Sequence, residues 1–394
     1  MLKTGASPST PPHYNLLYLD SVSALGLAVL NQIYQCALLL RIYKVLKLAF
    51  KVSTHTTEIY RIVDRAIEDG DASISTFPKP ALDPSTSVSP HDTASIHTLV
   101  EDERSWSNSS TTSQPVPSAT LGKHLGVVSP KVIFRIDRAI LFSNKLDTER
   151  RELELRDGKW EMALKGILEK KQFPDRGNQA TPHAVVLRIC VNHIGATYHL
   201  MHELNARAAT KYDSSNKSHE RKLLELWDLL TPHERLTGRT TKQWQKLGFQ
   251  GNDPATDFRG MGMLGLDDLH YYAKNHPKSA ARVLTSSRHD TAWFSFAIVG
   301  ITITKFALTL VRTRQLQHFF YTYGISKDVY QELYCYLFDN FEKFWKSQPD
   351  PVTIMDFSRV FDRYHIKVEH ELWERRQTVL DKDAPALLRA KKNK

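Results

Sequence analysis

The chain has 394 residues, enough for one large domain or two ordinary ones, and 41% of them are hydrophobic, so a substantial core can form. A formal net charge of +10 and a pI near 9.3 favour anionic partners: phospholipid headgroups, an acidic protein or nucleic acid. No dense basic run, zinc-finger spacing or RNA-recognition signature is present, which argues against nucleic acid. Cys36, Cys190 and Cys335 are widely spaced with no CxxC, which argues against a disulfide framework or zinc site and fits a reducing compartment.

Residues 1–20 are rich in Ser, Thr and Pro. From Ser21 to Leu40 no charge occurs, but Asn31, Gln32 and Gln35 interrupt the apolar run, which makes it a marginal candidate for a spanning helix. A cleavable signal is disfavoured because the positive charges follow the apolar run instead of preceding it. Arg41, Lys44, Lys47 and Lys51 then fall on one side of a helical wheel, with Ile42, Val45, Leu46, Ala49 and Phe50 on the other. This basic amphipathic helix fits either an anionic membrane surface, reached through those four cations, or packing against its own domain. The region 1–70 is therefore an N-terminal helical unit. Residues 71–130 shift to Ser, Thr, Pro, Asp and His with sparse apolar residues, the composition of a disordered insert.

Structure resumes near Lys131, where Val132 to Phe142 suits a strand or a helix. Asp147 to Lys171 reads as helical, with Leu153, Trp160, Leu164, Ile167 and Leu168 as its stripe. Pro182 opens a long helix through Val186, Cys190, Ile194 and Tyr198, and 131–204 forms a helical region packing on the core. Trp293 to Val311 is nearly all apolar, but a central Lys305 would cost ~3 kcal/mol in a bilayer, so it reads as a core helix. Ser326 caps an aromatic helix ending before Pro349, and Asp350-Pro351 suits the start of another, carrying Ile354, Phe357 and Phe361. Strand alternation is scarce. The fold class is all-α.

The central stretch, Trp244 to Leu269, is too rich in glycine for one regular element. Gly260-Met-Gly262-Met-Leu-Gly265 matches GxGxxG, but no apolar strand precedes it, so a dinucleotide site is rejected. His199 and His202 are spaced to share a metal, yet no HExxH accompanies them, and neither a metal nor a cofactor is expected. Asp257 and Arg259 are the charged pair of this loop. Three readings of Arg259 stand open: a structural tie to Asp257 or loop carbonyls, a solvated charge, or a guanidinium held out for a partner's phosphate.

Trp244, Gly248, Phe249, Gln250, Pro254, Asp257, Phe258, Arg259, Gly260, Gly262, Leu266 and Leu269 fill every position of a long, irregular signature: a Trp, Gly-Phe-Gln, a Pro, Asp-Phe-Arg-Gly-x-Gly and paired Leu. Through these residues the chain resembles the ELMO-domain-containing proteins. The resemblance implies a multi-helix ELMO-type domain over 205–365, followed by a helix end and basic tail at 366–394. The family's small, stand-alone members are GTPase-activating proteins for ARF-like small GTPases, and their Asp-Phe-Arg-Gly arginine is essential. Carried over, this makes Arg259 an arginine-finger candidate acting in trans on the GTP-bound partner, in a chain with no catalytic chemistry of its own. The rival implication is a non-catalytic scaffold regulating small-GTPase signalling at membranes. Trp244, Phe249 and Phe258 are expected as apolar anchors, Gly248, Gly260 and Gly262 as turn residues, and Gln250 as structural.

Overall fold

The computed structural model describes Ile33 and residues 36–74, 126–174, 180–350 and 352–373. Among these, thirteen α-helices and one pair of short strands form, so the chain is all-α as its periodicities require. The N-terminal part comprises α1 (Ala37–Thr54), α2 (Glu58–Glu68), β1 (Ala72–Ile74), β2 (Gly126–Val128), α3 (Pro130–Leu141), α4 (Asp147–Glu154) and α5 (Trp160–Lys170). The rest comprises α6 (Pro182–Ala209), α7 (Lys217–Leu230), α8 (Gly262–Asn275), α9 (Pro277–Ser287), α10 (Phe296–Arg312), α11 (Gln317–Tyr323), α12 (Lys327–Lys346) and α13 (Phe357–Trp373).

The insert expected over 71–130 is narrower than its composition suggests. Residues 75–125 lie outside the described ones, but both flanks pair as antiparallel strands, Ala72 opposite Val128 and Ile74 opposite Gly126. Gly126 has φ 137°, and a Cβ there would lie 2.3 Å from the Ser73 carbonyl oxygen, so only glycine closes this pair. Three-residue strands carry too little alternation to be read in advance.

Two helix boundaries also differ from the sequence reading. The run from Asp147 to Lys171 breaks into α4 and α5 around Gly158, where a Cβ would strike the Glu152 carbonyl oxygen at 1.8 Å. The last helix is entered through Thr353: the Asp356 carboxylate accepts from the Thr353 amide and hydroxyl while the Asp356 amide bonds back to Thr353, and Pro351 of the expected Asp350-Pro351 start lies outside the described residues. That reciprocal box satisfies the orphan amides, and a Pro start is not needed.

α8 is the central helix, packed by α6, α7, α10 and α12, with Met263, Leu264, Leu266, Leu269 and Tyr272 all buried. α10 lies against it as the apolar core helix, and Lys305 reaches solvent from its one exposed edge. Among the described residues, no single helix is long and apolar enough to cross a membrane. α3 is joined to the later helices by a buried knot in which Asp137 accepts from Arg314 at 2.6 Å and from the Tyr321 hydroxyl at 3.0 Å.

Candidate functional site

The signature loop is held from beneath by an aromatic ladder. Trp244 meets Trp227 edge-on at 5.3 Å, Phe249 meets Trp244 at 5.7 Å, Phe258 meets Phe249 at 5.7 Å, and Tyr212 stacks on Phe258 at 6.0 Å. Trp244, Phe249 and Phe258 are buried, each anchor removing a large ring from water, a gain of roughly 1.5–3 kcal/mol apiece. The Trp244 indole donates to the Arg239 carbonyl at 2.8 Å, so its polar edge is satisfied too.

Two short 3-10 helices, Lys242–Leu247 and Pro254–Arg259, carry the loop between these anchors. The first ends at Gly248, whose φ is 81° and where a Cβ would clash with the Phe296 amide nitrogen at 2.5 Å, so the position demands glycine. The second is opened by Asp253, whose side chain accepts from the Ala255 amide at 2.9 Å, with Pro254 at the first helical position. Gly262, at φ 49°, starts α8 where a Cβ would sit 2.3 Å from the Thr210 carbonyl oxygen and 2.5 Å from that of Ala208. The Met263 amide bonds to that same Thr210 oxygen at 2.8 Å, fastening the loop to the end of α6. Leu266 and Leu269 then lock α8 into the core.

Gly260 departs from the expectation of a turn residue. Its backbone is ordinary right-handed helix, and a Cβ would meet nothing within 4 Å. The fold does not require glycine there.

Asp257 and Arg259 do not form the ion pair that their spacing allows. The half-buried Asp257 carboxylate accepts from the Gln250 amide at 2.8 Å, closing the loop on itself. Burial pushes its pKa up, while that hydrogen bond and the charge of Arg259 pull the other way. Gln250 is therefore structural through its backbone, and its side chain is exposed.

Arg259 is exposed. Its Nε donates to the Thr256 carbonyl at 2.7 Å, and its two terminal nitrogens have no protein partner among the described residues. The tie in this neighbourhood is a different arginine. Arg239 pairs through Nε with Glu220 at 3.3 Å and through Nη1 with Asp253 at 2.5 Å, and lies over the Tyr212 ring at 5.6 Å. One guanidinium thus fastens the loop while the other is oriented by a single bond and left facing outward.

Sequence reasoning missed the charged seat beneath the loop. Asp267 is buried and receives Arg207 (2.7 and 2.9 Å), Lys222 (2.6 Å) and Lys327 (2.8 Å), joining α6, α7, α8 and α12. Burial would raise this carboxyl, but the Arg207 hydrogen bond and the three cations outweigh it and hold it well below the usual range. Its neighbour Asp268 faces the core instead, near Tyr330 and Gln331, and burial pushes it up to about 7. The available signal was two adjacent carboxylates inside an otherwise apolar helix.

The other residues singled out by sequence lie apart from this loop. His202 bonds to the Glu154 carbonyl at 2.8 Å and His193 to that of Ile189, while His199 lies 3.6 Å from Glu203. On α1, Arg41 is exposed, Lys44 bonds to Asn144 at 3.1 Å, Lys47 pairs with Glu58, and Lys51 is half-buried.

Comparison with known proteins places the loop inside a matched region. A sequence profile of the ELMO/CED-12 family matches residues 202–361. The chain is 33% identical over 239 residues to the ELMO domain-containing protein 2 of Mus musculus, covering 60% of this chain and 80% of that one. It is 36% identical over 233 residues to the ELMO domain-containing protein 1 of Mus musculus, covering 54% and 70%. It is 40% identical over 157 residues to the ELMO domain-containing protein B of Dictyostelium discoideum, covering 40% and 55%.

Proposed function

The chain belongs to the ELMO/CED-12 family, and on that premise we propose that it is a GTPase-activating protein for ARF-like small GTPases, with Arg259 supplied in trans. The observation that supports this reading is the exposed Arg259, held at Nε by the Thr256 carbonyl with both terminal nitrogens unpartnered among the described residues. That is the arrangement a planar guanidinium needs to meet two phosphate oxygens at once. Holding one nitrogen beforehand reduces the rotamer freedom lost when the partner binds. In this reading the GTPase carries the nucleotide and its magnesium, and the activator contributes positive charge where negative charge grows on the transferring phosphoryl group. The chain then needs no cofactor and performs no reaction alone. It would work on the cytosolic side of a membrane, where its GTP-bound partner resides.

The test is single-turnover hydrolysis by GTP-loaded ARF-like proteins with the full chain, Arg259→Ala or Arg259→Lys. The expected result is stimulation by the parent chain and a loss of about 10³-fold or more in Arg259→Ala. Arg259→Lys is expected to recover little, because an ammonium cannot make the two-pronged contact. Both variants should melt as the parent does, since a surface substitution shifts stability by no more than about 0.5 kcal/mol. Binding to the GTPase without stimulation, indifferent to Arg259, would identify a non-catalytic scaffold. Loss of stimulation together with a large drop in melting temperature would reassign Arg259 as a tie.

A further inference from the structure

The helical wheel of α1 shows two faces, and the orientation of the helix on the body is the reverse of what a soluble amphipathic helix adopts. Its aliphatic side looks outward: Leu38 is 66% exposed, Ile42 49%, Val45 67%, Leu46 60% and Leu48 63%. Its polar side looks inward, where the Tyr43 hydroxyl and Lys47 meet Glu58 and Lys44 meets Asn144. A soluble helix hides its apolar stripe and wets its charges, and scattered single exposed leucines would need no explanation. Seven are exposed on this one element, these five with Leu39 and Val52, and, fixed there by polar contacts, they form a surface with no occupant among the described residues.

The charges around this surface indicate what covers it. From Ser21 to Thr57 the sequence contains no Asp or Glu and four Lys or Arg, and the part from Ser21 to Leu40 carries no charge at all. At the seam between α1 and the body, Lys47, Lys51 and Lys145 crowd Lys171, whose ammonium is pushed down to about 8, first by its burial and then by these charges, with Glu58 opposing. Aliphatic side chains on a segment with excess cations and no acidic residue of its own match a bilayer whose headgroups are anionic. A protein groove would also take the aliphatic residues, but it offers no general reason for acidic residues to be missing along so long a segment.

We infer that α1 is an in-plane membrane-docking helix: Leu38, Ile42, Val45, Leu46 and Leu48 enter the lipid, and Lys51 and Lys145 at the edge of the seam meet anionic headgroups. The aliphatic residues supply most of the binding, and the lysines supply preference among lipids. The four cations of the helix thus divide their work, with Lys44 and Lys47 latching the helix to the body. This inference is independent of Arg259 and of any GTPase.

The test is flotation of the full chain with phosphatidylcholine vesicles and with vesicles containing phosphatidylserine. The expected result is flotation with both, stronger with phosphatidylserine. Ile42→Asp/Leu46→Asp should melt like the parent, since both sites are solvent-exposed, and should lose bound fraction at least about tenfold on either lipid. Lys51→Gln/Lys145→Gln should remove only the phosphatidylserine preference. Failure of the parent chain to float overturns the inference, as does a double aspartate variant that floats normally. A parent chain that is dimeric by light scattering, monomeric in the aspartate variant and absent from the floated fraction assigns the face to a second copy instead.

Discussion

Asp268→Asn offers a sharp check on the energetics of the central helix. The parent side chain is fully enclosed, near Tyr330 at 3.3 Å and Gln331 at 3.4 Å, and titrates at about 7. In the unfolded chain it titrates at about 3.9. Below the unfolded value the group is protonated in both states and costs nothing. Between about 4 and 7 the unfolded chain releases a proton that the folded one keeps, so stability falls by about 1.4 kcal/mol per pH unit. Across that window the loss sums to roughly 3–4 kcal/mol. Asparagine reproduces the neutral acid, with an oxygen to accept and an amide to donate, and has no proton to lose. Urea unfolding of both chains at half-unit steps from about pH 3.5 to 7.5 should therefore give curves that coincide at the acid end and diverge upward. By about pH 7 the asparagine chain should be the more stable by about 2–4 kcal/mol. A variant less stable than the parent by a constant amount at every pH would refute the reasoning and show an ionised, usefully hydrogen-bonded Asp268.

Two further outcomes follow from the same region. Asp267→Ala leaves Arg207, Lys222 and Lys327 converging without their shared anion; since these cations are partly exposed, a loss of about 2–3 kcal/mol is expected by denaturant unfolding at about pH 7, and the gap to the parent should close as pH falls through the depressed pKa of the folded carboxyl. Gly262→Ala meets two carbonyl oxygens at positive φ and should cost more than about 2 kcal/mol, whereas Gly260→Ala, in open space on right-handed backbone, should be neutral or stabilising by up to about 1 kcal/mol, both read as shifts in melting temperature.

Much of the framework was legible because helical periods are local. Pro182 to Ala209, the apolar run of α10 and the Ser326 cap all declare themselves within one window of sequence, and the cap forms as expected through the Val329 amide. The strand pair around the insert did not, because Ala72 and Val128 are neighbours only after the chain returns. The loop was legible as a frame, since large aromatics and left-handed glycines have few other uses. Whether Arg259 faced outward was not, because the answer lies in which carbonyl takes its Nε and in Asp257 turning to the Gln250 amide. The partners of Asp267 are likewise remote in sequence: Arg207 and Lys327 each lie 60 residues away. A helical wheel divided α1 into two faces but carried no information about which one met the body.

The long helix α6 fixes a length. Its last turn is fastened to the Arg259 loop through the Thr210 carbonyl, and its first turn reaches α2, where His183 bonds to Asp64 at 2.8 Å and stacks on Tyr60 at 5.0 Å. Glu58, at the start of that same α2, holds Lys47 of α1. With 28 residues, α6 runs about 42 Å. It is a ruler between the helix we assign to the bilayer and the arginine, and the spacing of the two is set by a count of helical turns.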